Sequence, residues 1–457
     1  MTQSGPPGAT GQPVRPRFRR CALLIVTAIL GWAACGVWNC VKPMPPGTHV
    51  DSLPARLAES EVDFIADEPP GATLLNRERE AIARAERILL LDQSPVVSEL
   101  AQQLLSAKRQ RPNLTVILAT DPRNEVYGGT PGETLGALER AGIIVARTRL
   151  ERMRDSKPLY SSWWRLAVAW WSDPFDEVPG RATWLSSLRQ RNAKANCRQL
   201  LVADDGAGGW TTIVTSGPAV SEAGRSSNIG LEIRGHLAHA IIASELRIAA
   251  WSTDDDRLPA PPPPDSRGVG TIDARFITEG ATAVALHDLA AVAAAGDSID
   301  LMGRALQDRG VIAALQDAAA RGAHLRLLLD PARLGSRAAA AELLRGASER
   351  IEVRWQAAPP SHAHSVMIRH RDDVWLDLGS ADFARRSLED LDLEADIELH
   401  LPARAAPVRA AAEFFTKAWS RAAPYGQYAD DSAQTYWRYR LEEFSGLALL
   451  PIPESSD

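Results

Sequence analysis

Cysteine is nearly absent from the body of this chain. Cys21, Cys35 and Cys40 share one apolar run near the N-terminus, which leaves Cys197 alone in the rest of the sequence. A disulfide framework is therefore excluded for everything after that run. A basic excess is lacking too: 51 Lys and Arg stand against 57 Asp and Glu, for a net charge of −6. Such a balance gives no support to general nucleic-acid binding, although local basic pockets are compatible with it. Apolar residues at 45% and charged residues at 24% are ordinary for a globular protein. A length of 457 residues allows two or three domains, or one large duplicated unit.

Long uncharged apolar runs are scarce as well, and the one that exists is informative. Residues 1–20 form a Gly/Pro-rich tail carrying Arg15, Arg17, Arg19 and Arg20, followed by "CALLIVTAILGWAACGVWNCV" from Cys21 to Val41. About 20 apolar residues match a bilayer core, whereas the apolar part of a cleavable signal is about 7–15. Lipoprotein processing at Cys35 fits poorly with Trp32 and Ala33 before it. Four arginines precede the run and only Lys42 follows closely, so the positive-inside rule puts the tail in the cytoplasm. The expectation is a single-pass membrane protein, anchored by residues 21–41, with its body on the extracytoplasmic (periplasmic) side.

The body alternates helix and strand signals. "REREAIARAERILLLDQ" reads as a helix and a short strand, and "SELAQQLLSAKRQRPNLTVILATDP" repeats that unit. "GVIAALQDAAARGAHLRLLLDP" writes it again, down to the closing Asp-Pro: Asp121-Pro122 in one place, Asp330-Pro331 in the other. A hairpin also occurs twice, at Asn192–Gly217 and at Ala363–Phe383. These pairs predict an internal duplication, with residues 44–253 as the first half, 254–268 as a Pro-rich linker and 269–430 as the second half. Residues 431–457 are expected as a tail packing on the body.

An insert in the first half, "LYSSWWRLAVAWWSDPF", places Trp163, Trp164, Trp170 and Trp171 at helical spacing on one face. That stripe reads as core or domain-packing surface, with an interfacial docking helix as the alternative. His236 and His239, in "RGHLAHAIIASEL", read as solvating one face of an amphipathic helix.

The hairpins carry a resemblance. "SHAHSVMI" with "LGSADFARRSLEDLDLEADIEL" resembles the His-x-Lys strand, Gly-Ser-x-Asn turn and Asn-x-Glu close of the phospholipase D superfamily. "FITEG" and "YWRYRLEEFSGL" are similar to membrane-anchored, cardiolipin synthase-like members, and the likeness runs from about Pro46 onward. The resemblance implies an α/β fold of two duplicated halves forming one pseudo-twofold body, plus one N-terminal transmembrane helix. It also implies a shared site where one histidine attacks a phosphodiester and the other protonates the leaving oxygen. Lysines and the turn Ser and Asn hold the phosphoryl oxygens. No cofactor and no metal are expected. The expected partners are a phospholipid or other phosphodiester, the membrane, and a protein whose identity is open.

This chain departs from that pattern. In the first half Cys197 and Gln199 stand in the slots of the histidine and lysine; Asp204 and Ser216 match; Pro218 replaces the asparagine. In the second half His364, Ser380 and Glu394 match, while Val366 replaces the lysine, and Asp382 and Asp392 replace asparagines. Two cations have left an anion site, and only one histidine of the pair remains. Asp382, if ionised, would repel phosphate. Cys197 could act as a nucleophile if a cation lowered its pKa, but strand alternation turns Arg198 to the opposite face. His362, two residues before His364 on the same strand face, reads as a polar rim at the strand entry, with a histidine pair or a weak metal site as the alternative. Two readings follow: a catalytically impaired relative that binds a phosphodiester or a partner, or an active phospholipase D or phosphatidyltransferase working through a phosphohistidine at His364.

Overall fold

The computed structural model describes residues 15–68, 72–127, 130–171, 194–218, 227–255, 257–260, 268–347, 349–357, 361–430 and 432–445, with single positions at 185, 188 and 192. Most of the expected linker, including Pro261 to Pro264, lies outside the described residues.

The β-rich runs form two sheets written in one order. The first runs Val62–Asp67, Asn228–Arg234, Trp210–Thr215, Leu200–Asp204, Ile88–Asp92, Thr115–Thr120, Ile144–Arg147. The second runs Ile272–Ile277, Asp396–Pro402, Asp373–Gly379, Ser365–His370, Ser298–Gly303, His324–Leu329, Ile351–Trp355. In each, the first four pairings are antiparallel and the last two parallel. Ala55–Leu57 and Ala423–Pro424 add edge strands to the second sheet only, so a segment preceding the first sheet is stitched into the other half.

Burial explains the layering. Strands such as Leu200–Asp204 are apolar on both faces, as expected where both sides of a sheet are covered. A shared core takes Val202, Val214 and Leu231 from the first sheet and Phe276, Leu376 and Leu399 from the second. The helices Leu237–Ser252 and Ala406–Arg421 join that core through Ile241, Leu246, Phe414 and Trp419. Separate cores cover the outer face of each sheet. The result is the α/β body of two like halves predicted from the repeats. One correction concerns Leu237–Ser252: it is buried around most of its circumference rather than amphipathic. His236 and His239 pack edge-on to one another, with His239 also against Trp210.

The N-terminal helix spans Arg15–Val41, and its Leu23–Val41 stretch is long and apolar enough to cross a membrane, with a mean hydropathy of 1.8. The C-terminal helix Ala433–Ser445 lies on the body, where Tyr436 accepts from Arg309 and Tyr439 donates to the Gln307 carbonyl.

The tryptophan stripe differs from expectation. The helix Pro158–Trp163 continues as a π turn over Trp164–Val168, and the wider turn resets the face that each later residue presents. Trp164 packs with Val168 and Leu185, while Trp163, Trp170 and Trp171 are exposed. The stripe is therefore not a core surface.

Candidate functional site

Each half feeds the entry of its central hairpin strand across to the other half. Cys197 N donates to the Leu393 carbonyl and Leu393 N to the Ala195 carbonyl, both at 2.9 Å. Reciprocally, His362 N donates to the Ser227 carbonyl at 2.9 Å. The two hairpins therefore meet at one seam, and the residues expected to carry chemistry converge there. Asp204 and Val366 are exceptions. Asp204 sits at the far end of its strand, accepting from the amides of Arg87 and Ile88 at 2.8 and 2.6 Å, and so anchors the sheet rather than the site.

On the first-half side, Cys197 Sγ and carboxylate oxygens of Asp392 and Glu394 all lie within 4.8 Å of one another. These are the residues that could hold a metal ion among those described. Asp392 pairs with Arg386 at 2.9 Å, and Glu394 accepts from Ser380 Oγ at 2.7 Å. Burial and the Asp392 charge push the Glu394 carboxyl well up. Burial, then Glu394 and Asp392, push the Cys197 thiol well up too, against the opposing charges of Arg123 and Arg386. A thiol among carboxylates stays protonated, so the nucleophilic thiolate is disfavoured here.

The other first-half positions are occupied structurally. Gln199 Nε2 donates to the Ser94 carbonyl at 2.7 Å, leaving its buried Oε1 without a partner. Ser216 Oγ donates to Asn228 Oδ1 at 2.6 Å, and Asn228 Nδ2 donates to the carbonyls of Gly217 and Pro218. Sheet register explains the pairing. Thr215 opposes Gly230 as Gly379 opposes Asp396, which makes Asn228 the counterpart of Glu394. Sequence reasoning missed Asn228, because only strand register brings it to the turn.

On the second-half side, His364 Nδ1 lies 3.1 Å from the Ser380 carbonyl, and its buried Nε2 has no partner. Burial lowers the pKa of His364, with Arg304 adding to the shift and Asp382 opposing it. His362 is lowered to about 4, by burial first and then by Arg304. Both imidazoles are thus neutral near pH 7. Arg304 Nη1 donates to His362 Nδ1 at 3.2 Å and has no carboxylate ion pair among the described residues. Burial and the neighbouring Arg333 charge lower its pKa. Val366, in contrast, lies in the outer apolar core of its sheet with Leu301 and Ile368. Asp382 is turned onto the amides of Ala305 and Phe383, at 2.8 and 3.0 Å. Both bonds fall on Oδ1. Arg304 and Arg333 were not singled out in the sequence because they follow strand ends, outside the motif.

Arg198 is the structural centre of the seam. It is fully buried, donating to Glu279 Oε1 and the Glu394 carbonyl in the second half, and to Ser244, Glu245 and the Gly47 carbonyl in the first. Glu279 holds a positive φ of 48° while its carboxylate also accepts from the amides of His49 and Glu394.

A family model described as "Cardiolipin synthase, PLD-like domain" matches residues 289–419. Among solved structures, the phosphatidylserine synthase of Haemophilus influenzae Rd KW20 superposes with a TM-score of 0.57 at 10% identity, covering 85% of this chain and 94% of that one. The polyphosphate kinase of Porphyromonas gingivalis gives 0.47 at 14% identity, over 84% and 53% of the two chains. The phospholipase D family member Nuc from Salmonella typhimurium gives 0.28 at 18% identity, over 33% and 98%. No curated protein matches the chain. The second half thus matches a phospholipase D-like domain, and the body shares its fold with the phosphatidylserine synthase.

Proposed function

We infer that this is a membrane-anchored phospholipase D-like protein that has lost efficient phosphodiester turnover and keeps its seam for binding a phosphate-bearing headgroup. The observation that carries the reading is the asymmetry of the seam. Where a second histidine would serve, Cys197 Sγ lies within 4.8 Å of carboxylate oxygens of Asp392 and Glu394, surroundings that push its pKa up. Neither lysine slot holds a cation, since Gln199 is bonded to the Ser94 carbonyl and Val366 lies in the apolar core. A positioned acid or base contributes about 10²–10⁴-fold, and a covalent mechanism needs both partners. On the other side, Arg304 and Arg333 stand beside two neutral imidazoles. Guanidiniums are suited to phosphate oxygens.

The competing reading is phosphatidyl transfer through His364, favoured by its neutral, unpartnered Nε2. Anchoring is supported by the apolar helix, and a cytoplasmic tail by the arginines before it.

Binding and turnover are tested on the full chain in phosphatidylglycerol nanodiscs. The expected result is phosphate binding that weakens about tenfold in Arg304→Gln, with no headgroup release. Headgroup release that vanishes in His364→Ala would establish the competing reading.

A further inference from the structure

The last turns of the N-terminal helix are not free of the body. Ser162 Oγ donates to the Trp32 carbonyl at 2.6 Å, and Asp155 N donates to the Asn39 carbonyl at 2.9 Å. A Cβ added at Gly36 would stand 2.2 Å from the Pro158 carbonyl oxygen, so the two helices touch backbone to backbone. Trp32 precedes the end of the apolar stretch at Val41 by nine residues, or about 14 Å of helix. Trp32 is equally nine residues from Leu23, so the helix Pro158–Trp163 lies beside the half of the span that fills one leaflet, between its midpoint and its Val41 end.

Its surroundings match that depth. The inner side is tied down: Arg165 donates from Nε and Nη2 to Asp155 at 3.0 and 2.9 Å, and Trp164 and Val168 pack on Leu185. The outer side is apolar and exposed as well, with Leu166 53%, Trp170 71% and Trp171 50% exposed, and Leu159 and Trp163 also exposed. Apolar side chains on both sides suit a segment that meets lipid better than one that meets water. Indole rings favour the headgroup level, where the ring is buried and its N–H stays wet.

Resting on the anchored reading above, we propose that Leu159, Trp163, Leu166, Trp170 and Trp171 form an interfacial foot that dips into the leaflet from which the span emerges. The foot seats the body on the lipid surface and is connected to the seam. Arg154, just before it, donates to Asp390 Oδ2 at 2.7 Å, in the segment that leads to Asp392 and Glu394. A headgroup in the same leaflet would lie close to the seam without leaving the membrane.

The test uses the full chain in nanodiscs of phosphatidylcholine and phosphatidylglycerol with one brominated acyl chain. Trp32 and Trp38, within the span, report insertion of the helix. In the Trp163→Phe/Trp170→Phe/Trp171→Phe variant the quenched share of emission is expected to fall about twofold, from five of thirteen tryptophans to two of ten. Leu166→Trp in the otherwise unchanged chain should add a quenched component, a gain of signal that does not depend on the triple variant folding. An unchanged quenched share in the triple variant, or an unquenched indole at position 166, overturns the foot while leaving the anchor intact. No quenching in any variant overturns the anchor and the foot together. An unquenched face with two chains per disc by light scattering assigns it to a second copy, which also overturns the proposal.

Discussion

Arg198 Nη2 donates to Glu279 Oε1 at 2.6 Å with both side chains shut off from solvent. The contact joins the strand entry of one half to the first helix of the other. The same guanidinium also holds Glu245, so its removal strands two buried carboxylates. Arg198→Ala is expected to cost about 3–5 kcal/mol, read as a lowered denaturation midpoint of the whole chain. A loss below about 1 kcal/mol, within the range of an exposed pair, would show that the seam does not depend on it.

Acid should loosen the seam from the histidine side. The pKa of His362 is lowered to about 4 in the folded protein from an ordinary value near 6.5. The unfolded chain therefore takes up a proton that the folded one refuses. The neutral ring's contribution is complete above pH 6.5 and is lost as pH falls toward about 4. His362→Gln should flatten this part of the stability profile relative to wild type. Parallel profiles between pH 7 and pH 4 would rule the shift out.

Rebuilding the motif should fail first at Val366. That side chain is buried beside Leu301 and Ile368, so Val366→Lys places an ammonium in apolar packing. The expected loss is more than about 2 kcal/mol, measured by urea denaturation. A stable Val366→Lys variant with gained turnover would instead mean that the pocket still accommodates the cation.

Gly36→Leu should part the N-terminal helix from the body, because even a Cβ there meets the Pro158 carbonyl oxygen and Ser162 Oγ. Amides of residues 158–168 should exchange at least about tenfold faster, with the two sheets unaffected. Unchanged exchange over that segment would argue against the packed arrangement.

Much of the fold was legible because its signals are local. The Asp121-Pro122 and Asp330-Pro331 units and the two hairpins each lie within about 25 residues, and their helical and strand periods appear directly in the pattern. The partners of Arg198 were not legible, since Glu279 and Glu394 reach it only when the halves dock. Asn228 depends on strand register, and Arg304 on the neighbouring end of another strand. The tryptophan stripe was not legible because constant helical spacing fails across Trp164–Val168, where the backbone makes a π turn. The hairpin containing Cys197 kept its scaffold, and the sequence showed that plainly. What its replacements do instead required the carboxylates of Asp392 and Glu394 to be placed beside the thiol.

The most direct measurement of the central claim is phosphatidyl transfer to a short alcohol by the full chain, run beside His364→Ala with matched membranes. The account predicts no transfer above the lipid-only background in either protein. Transfer by the wild type that disappears in His364→Ala would contradict it.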